Sequence, residues 1–227
     1  MTQRRRLVSL LLASSLMTRV WAAEPTAVAY PAIQHAFLRE DFEGVTRLSR
    51  AFLAQHPDAP EVDRVWLWLA LSLDRLQRSG DALREFDLLK RRLSREEAVW
   101  PEVLFWEAEV SRRALQMGRA KGVYEQLLRD APASTWAVQA RFGLGLVYVH
   151  QQAFQRALGQ FQEVAASGRS ASLAVNARLL QGFCHLQLKQ FPEAVRNLEP
   201  LLPQLRHPHL IAQAAFYLGE SLGALGR

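Results

Sequence analysis

The chain has 227 residues, 49% hydrophobic and 22% charged, with one Cys, 12 Gly and 10 Pro. This composition excludes a disordered chain, a disulfide scaffold, a cysteine-rich zinc module and a collagen-like repeat. The formal net charge is +6, from 28 basic and 22 acidic residues.

The first segment reads as an export signal. Arg4-Arg5-Arg6 form a positive start, Leu7 to Met17 an apolar run, and Val20-Trp21-Ala22 a cleavage site. The run is shorter than the roughly 20 residues that a membrane span needs. Residues 1–22 are therefore expected to be a signal peptide, and residues 23–227 an exported, bacterial periplasmic protein. No Cys follows the signal for lipid attachment. The first 22 residues hold Arg4, Arg5, Arg6 and Arg19 and no acid, so the remainder balances 24 bases against 22 acids, or +2. That is too little for a nucleic-acid partner, which needs a strongly basic face. No second long apolar run follows, so no integral membrane segment is expected. The lone Cys184 has no partner for an internal disulfide.

From there the chain repeats itself. Ile33, Ala70, Ala108, Gly145, Gly182 and Gly219 are separated by 37, 38, 37, 37 and 37 residues. Val45, Ala82, Ala120, Ala157 and Ala194 each follow their partner by 12 residues. The neighbours recur too: Trp66-x2-Leu69-Ala70-x2-Leu73 precedes Ala82-x3-Phe86, and Leu144-Gly145-x2-Tyr148 precedes Ala157-x3-Phe161. Ala120-x3-Tyr124 leads to Pro132, and Leu218-Gly219-x2-Leu222 opens a sixth unit. From Glu61 onward the apolar spacing is helical, with no strand alternation. Turn signals punctuate it: His56-Pro57-Asp58, Ser79-Gly80-Asp81, Met117-Gly118, Ala131-Pro132, Ser167-Gly168 and His207-Pro208. Small residues let two helix axes approach closely. One helix pair cannot bury both its faces, so neighbouring pairs must stack.

This pattern resembles the tetratricopeptide repeat, over about residues 27–227, and its long period is similar to that of bacterial cell-envelope members. The resemblance implies an all-α, right-handed solenoid of antiparallel helix pairs. It would comprise five full units plus the first helix of a sixth. It also implies a non-catalytic scaffold that binds a protein or peptide through its concave face, with no cofactor. The alternative is the helical arm of a larger envelope enzyme, such as a lytic transglycosylase, whose catalytic domain lies beyond residue 227. Two features of particular envelope members are missing: the anchoring Cys of the lipoproteins and an N-terminal coiled coil.

No catalytic motif is present: there is no Gly-rich phosphate loop, no GxSxG and no HExxH. Cys184-His185 and His207-Pro208-His209 lack companions for a metal site, and read as a small buried Cys and an inter-helix loop. Glu109 and Arg113, with Glu107 and Arg112 beside them, read as a solvated ion-pair face. In the resembled family the concave surface is lined three residues before and one residue after the small anchor. Here those positions give Tyr30, Leu67, Phe105, Phe142, Leu179 and Phe216, and then Gln34, Leu71, Glu109, Leu146, Phe183 and Glu220. The candidate groove is Tyr30, Leu67, Leu71, Phe105, Phe142, Leu146, Phe183 and Phe216. Sideways packing between neighbouring first helices competes with that reading. The apolar end Phe216-Tyr217-Leu218, Leu222 and Leu225 suggests that the chain is the N-terminal piece of a longer protein, or that a partner or a second copy covers the C-terminal helix.

Overall fold

A computed structural model describes residues 25–227. The export-signal reading of residues 1–22 lies outside the described residues. Among the described residues there is no strand, and the chain runs through eleven α-helices. They are α1 (Pro25–Leu38), α2 (Phe42–Gln55), α3 (Val62–Arg75), α4 (Ser79–Arg92), α5 (Trp100–Arg113) and α6 (Met117–Asp130). Then come α7 (Ala137–His150), α8 (Phe154–Ala166), α9 (Ala171–Gln187), α10 (Phe191–Leu198) and α11 (Pro208–Ala224). No described helix is long and apolar enough to cross a membrane.

The described residues cluster into two compact units, those that fall within Met1–Arg92 and those of Leu93–Arg227. In the first, α1 packs on α2 and α3, α2 on α3, and α3 on α4. In the second, consecutive helices pack from α5 to α11, and α5 meets α7, α7 meets α9 and α9 meets α11. Within each unit, the first helix of a pair therefore touches its own second helix and the first helix of the next pair. This is the neighbour pattern of an α-solenoid.

The helix faces follow from that pattern. A second helix needs one apolar stripe, and α4 buries Ala82, Phe86 and Leu89 at i, i+4 and i+7. A first helix in the stack is packed on more sides and must be apolar on most of them. Thus α7 buries Ala137, Val138, Ala140, Gly143, Leu144, Gly145, Val147 and Tyr148.

Most of the small anchors are buried between helices. Ala70, Ala82, Ala108, Ala120, Ala157 and Ala194 are fully buried, and so are the bulkier Ile33 and Val45 of the first pair. A Cβ added at Gly145 would lie 2.5 Å from Phe161 Cε1, and one at Gly182 would collide with Leu198. Each of those side chains stands four residues after the small residue of its own second helix. Gly219 differs from the expected anchor role: it is exposed, and an added Cβ would meet nothing within 4 Å. No second helix of the described chain lies over it.

The first helices end in a way the sequence hides. Glu40, Gln77, Leu115, Gln152 and Lys189 have φ between 56° and 61°, and Gly226 has φ 70°. They recur at 37, 38, 37, 37 and 37 residues, in step with the anchors. At each, the following N–H returns to a carbonyl five residues back, as from Gln116 to Ser111 (2.9 Å) and Ala153 to Tyr148 (2.8 Å). These are Schellman caps, normally built on glycine. Ser79-Gly80-Asp81 and Met117-Gly118, expected as turns, lie instead in the first turns of α4 and α6. The left-handed residues before them have already reversed the chain.

Leu115 is 71% exposed, so little packing is lost if its side chain is removed. A left-handed non-glycine residue costs about 1–2 kcal/mol, and glycine's greater unfolded entropy returns roughly half of that. Leu115→Gly is therefore expected to stabilise the protein by about 0.5–1 kcal/mol in urea denaturation. A destabilised variant would refute this account of the cap.

Candidate functional site

Three of the six positions three residues before the anchors are interior. Leu67 is 0% exposed, Leu179 3% and Phe105 9%. Leu67 and Phe105 thus leave the expected groove and join the packing. Phe105 stacks on Trp136 at 4.8 Å and meets Trp106 edge-on at 5.1 Å. The reason is geometric: in a stack of first helices this position turns toward a neighbouring helix, and a large side chain there fills the space between them. Phe142 is half-buried, its ring 5.6 Å from that of Phe161, while Phe216 is 62% exposed.

In the Met1–Arg92 unit, Tyr30 and Leu71 are half-buried. Tyr30 stacks on Trp68 at 5.4 Å, and Phe37 stacks on the same residue at 5.5 Å. Trp68 lies two residues before Ala70 and was missed by the spacing argument, which looked only three before and one after.

In the Leu93–Arg227 unit, the positions one residue after the anchors carry the accessible apolar surface. Leu146 and Phe183 are half-buried, and so are Val149 and Leu186, one turn further along the same helices. Phe183 is ringed by aromatics, with Phe154 at 5.9 Å and Tyr217 at 5.2 Å.

On α5 of that unit lies a charged cluster. Arg112 Nη2 donates to Glu109 Oε2 at 2.8 Å, Arg113 Nη1 lies 3.7 Å from the same oxygen, and the Tyr124 hydroxyl donates to Glu109 Oε1. Glu107, 1% exposed, accepts from Arg119 at 2.7 Å. The solvated ion-pair face expected from sequence is thus corrected in part: the two carboxylates lie mostly inside, while the Arg113 side chain keeps 43% of its surface. The Glu109 side chain keeps only 16% of its surface. Tyr124 explains this: its ring passes over Gly143, where any Cβ would collide with it, and its hydroxyl reaches from α6 to α5.

Burial alone would raise the Glu109 pKa. The hydrogen bonds from Arg112 and Tyr124 and the charges of Arg112 and Arg113 outweigh it, and the carboxyl sits below its ordinary 4.5. Burial, and then the Glu109 charge, push the Tyr124 hydroxyl well above its ordinary range. Because the folded pKa of Glu109 is depressed, its stabilisation is fully present above about pH 4.5 and is lost as pH falls through the folded value. Glu109→Gln is expected to be less stable than the parent at neutral pH and to show a flatter acid limb. Stability measured by denaturant between pH 7 and pH 3 checks this. Parallel curves would contradict it.

Cys184 is buried, and burial pushes its thiol up to about 12. His185 Nδ1 lies 2.8 Å from Gln190 Oε1. His207 precedes α11, and His209 stands in its first turn. Among the described residues no three metal-binding side chains come together.

The sequence matches no family model and no curated protein. Its fold, however, is shared with many solved structures. A tetratricopeptide repeat protein from Parabacteroides merdae superposes with a TM-score of 0.70 at 16% identity, covering 87% of this chain and 75% of that one. The apo form of RapI gives 0.78 at 14% identity, over 97% of this chain and 66% of that one. The C-terminal part of a TPR repeat-containing protein from Cytophaga hutchinsonii gives 0.70 at 10% identity, over 86% and 70%. At these identities the likeness is one of fold: an all-α solenoid of the tetratricopeptide kind.

Proposed function

We propose, from the tetratricopeptide-like fold as premise, that this chain is a non-catalytic scaffold of the bacterial cell envelope. It binds a protein or peptide on the first-helix face of the Leu93–Arg227 unit. The observation that carries the reading is the half-exposed apolar set Phe142, Leu146, Val149, Phe183 and Leu186 on α7 and α9. The Glu109–Arg112–Arg113 cluster lies on α5, which packs against α7. An apolar strip with a charged edge suits an amphipathic segment, whose apolar side chains enter while its polar ones meet the ion pairs. The proposed envelope location rests on the N-terminal sequence alone, and a periplasmic reporter fused after residue 227 tests it.

For the binding face, the immobilised protein is exposed to periplasmic extract beside a Leu146→Glu variant. Leu146 is accessible enough for a carboxylate to reach water. The variant is expected to melt with the parent and to lose a specifically captured protein. Equal capture by both would remove this face from the reading.

A further inference from the structure

We infer that a groove between α8 and α10 recognises carboxylates: Arg178 and Arg196 take acidic side chains from a peptide segment of a partner protein. This groove goes beyond the apolar first-helix face proposed above and does not rest on it. Gln181 in its lining and Phe183 on that face are two residues apart on α9, about 200° around the helix.

The sequence itself opens the groove. The second helix α8 runs for 13 residues, to Ala166, whereas α10 stops after 8, at Leu198. Pro200 accounts for the early stop, because it has no N–H to give to the carbonyl of Arg196. The chain goes on as a short 3-10 turn, Leu202–Gln204. A cavity of about 430 Å³ is left between α8, α9, α10 and that turn.

Two arginines, Arg178 and Arg196, line this cavity with four amides, Gln162, Gln181, Asn197 and Gln204, and no acid. Three of the amides are held in place. Gln181 Nε2 donates to the Phe161 carbonyl at 2.9 Å, and Asn197 Nδ2 donates to Gln181 Oε1 at 3.0 Å. Gln204 Nε2 donates to the Pro200 carbonyl at 2.7 Å.

The preceding unit shows what is missing. Arg178 corresponds to Arg141, 37 residues earlier, whose Nη1 lies 2.5 Å from Glu163 Oε2 on α8. The residue 37 positions after Glu163 is Pro200. The proline that shortens α10 therefore also removes the carboxylate from beside Arg178. Among the described residues neither Arg178 nor Arg196 has an ion-pair partner, Glu193 and Glu199 near Arg196 included. A guanidinium fork matches a carboxylate, so charge complementarity selects Asp or Glu. The fixed amides beside it suit the main chain of the segment that carries the acid, which a free small acid lacks.

The test titrates short labelled peptides against the protein by fluorescence anisotropy. Each carries two glutamates, at spacings from adjacent to one helical turn, and has a glutamine counterpart. At least one spacing is expected to bind saturably, with its glutamine counterpart about tenfold weaker or more. Arg178→Gln and Arg196→Gln should each weaken that peptide about tenfold. Both side chains are exposed, so the melting temperature should hold. Pro200→Glu is an independent variant: it returns the carboxylate to the position of Glu163, should occupy Arg178, and should weaken the peptide while the melting temperature does not fall. Leu146→Glu, on the other face, should bind the peptide as the parent does. Absence of saturable binding at every spacing overturns the inference, as does binding indifferent to the glutamines or to the arginine variants. Loss of binding in Leu146→Glu overturns it too, by moving the peptide to the first-helix face. So does glutarate binding as tightly as the peptide, because a free small acid would then be the ligand.

Discussion

Gly145→Leu is expected to lower the stability of the Leu93–Arg227 unit by about 1–3 kcal/mol, toward the upper end. A Cβ at this position would lie 2.5, 2.8 and 3.0 Å from three atoms of the Phe161 ring. That ring is fully buried and rigid, so it cannot swing aside as the end of a long side chain would. The remaining leucine atoms would push α8 away from α7, and α9, which packs on both, would have to follow. A melting temperature lower by about 2–4 °C per kcal/mol is the readout. Gly219→Leu is the control for helical context, because the same substitution in the same register meets open space. Gly168 is not a neutral control. Its φ is 65°, so a side chain there costs backbone energy of about 1 kcal/mol even with nothing nearby. Equal melting of Gly145→Leu and the parent would mean that the anchor positions do not set the helix spacing.

Phe105→Ala is expected to cost about 3–5 kcal/mol of stability, as for a core aromatic. The side chain is 9% exposed and lies against Trp106 and Trp136, so its removal leaves a void that two indoles line. Phe183→Ala should cost less, because that ring is half-exposed, but should weaken partner capture by about 2 kcal/mol or more. Chemical denaturation and capture, measured on both variants, separate the two roles. If Phe105→Ala kept the parent's stability and lost its partner, Phe105 would return to the groove.

The helix pairs were legible because their cause is local and periodic. Small residues at the 37-residue step let helices approach closely: the second-helix side chains Phe161 and Leu198 lie against Gly145 and Gly182, and the six alanines of the two series are fully buried. The groove was less legible. A large apolar residue three before an anchor serves equally well as a wall or as a filler. Only the neighbouring helix decides, and it has turned Leu67 and Phe105 inward. Glu109 misled for a related reason: its i,i+4 partner Arg113 suggests solvent, while the residue that buries it, Tyr124, lies 15 positions away on another helix. The five left-handed caps on Glu, Gln, Leu, Gln and Lys had no glycine to announce them. Their signal was only the period itself, shared with the anchors.

The single step of 38 has a consequence for how such a chain can change length. The extra residue falls between Ala82 and Ala108, and the segment there that lies outside any helix is residues 93–99, between α4 and α5. An insertion inside a helix turns every later side chain on it by about 100°, which would carry an anchor off its crossing point. In a connecting segment the same insertion rotates no helix about its own axis. Residues 93–99 are therefore where evolution or a designer can add or remove residues while every anchor keeps its partner. A graded series of Gly-Ser insertions there should leave both units folded, whereas one residue inserted within α7 should not.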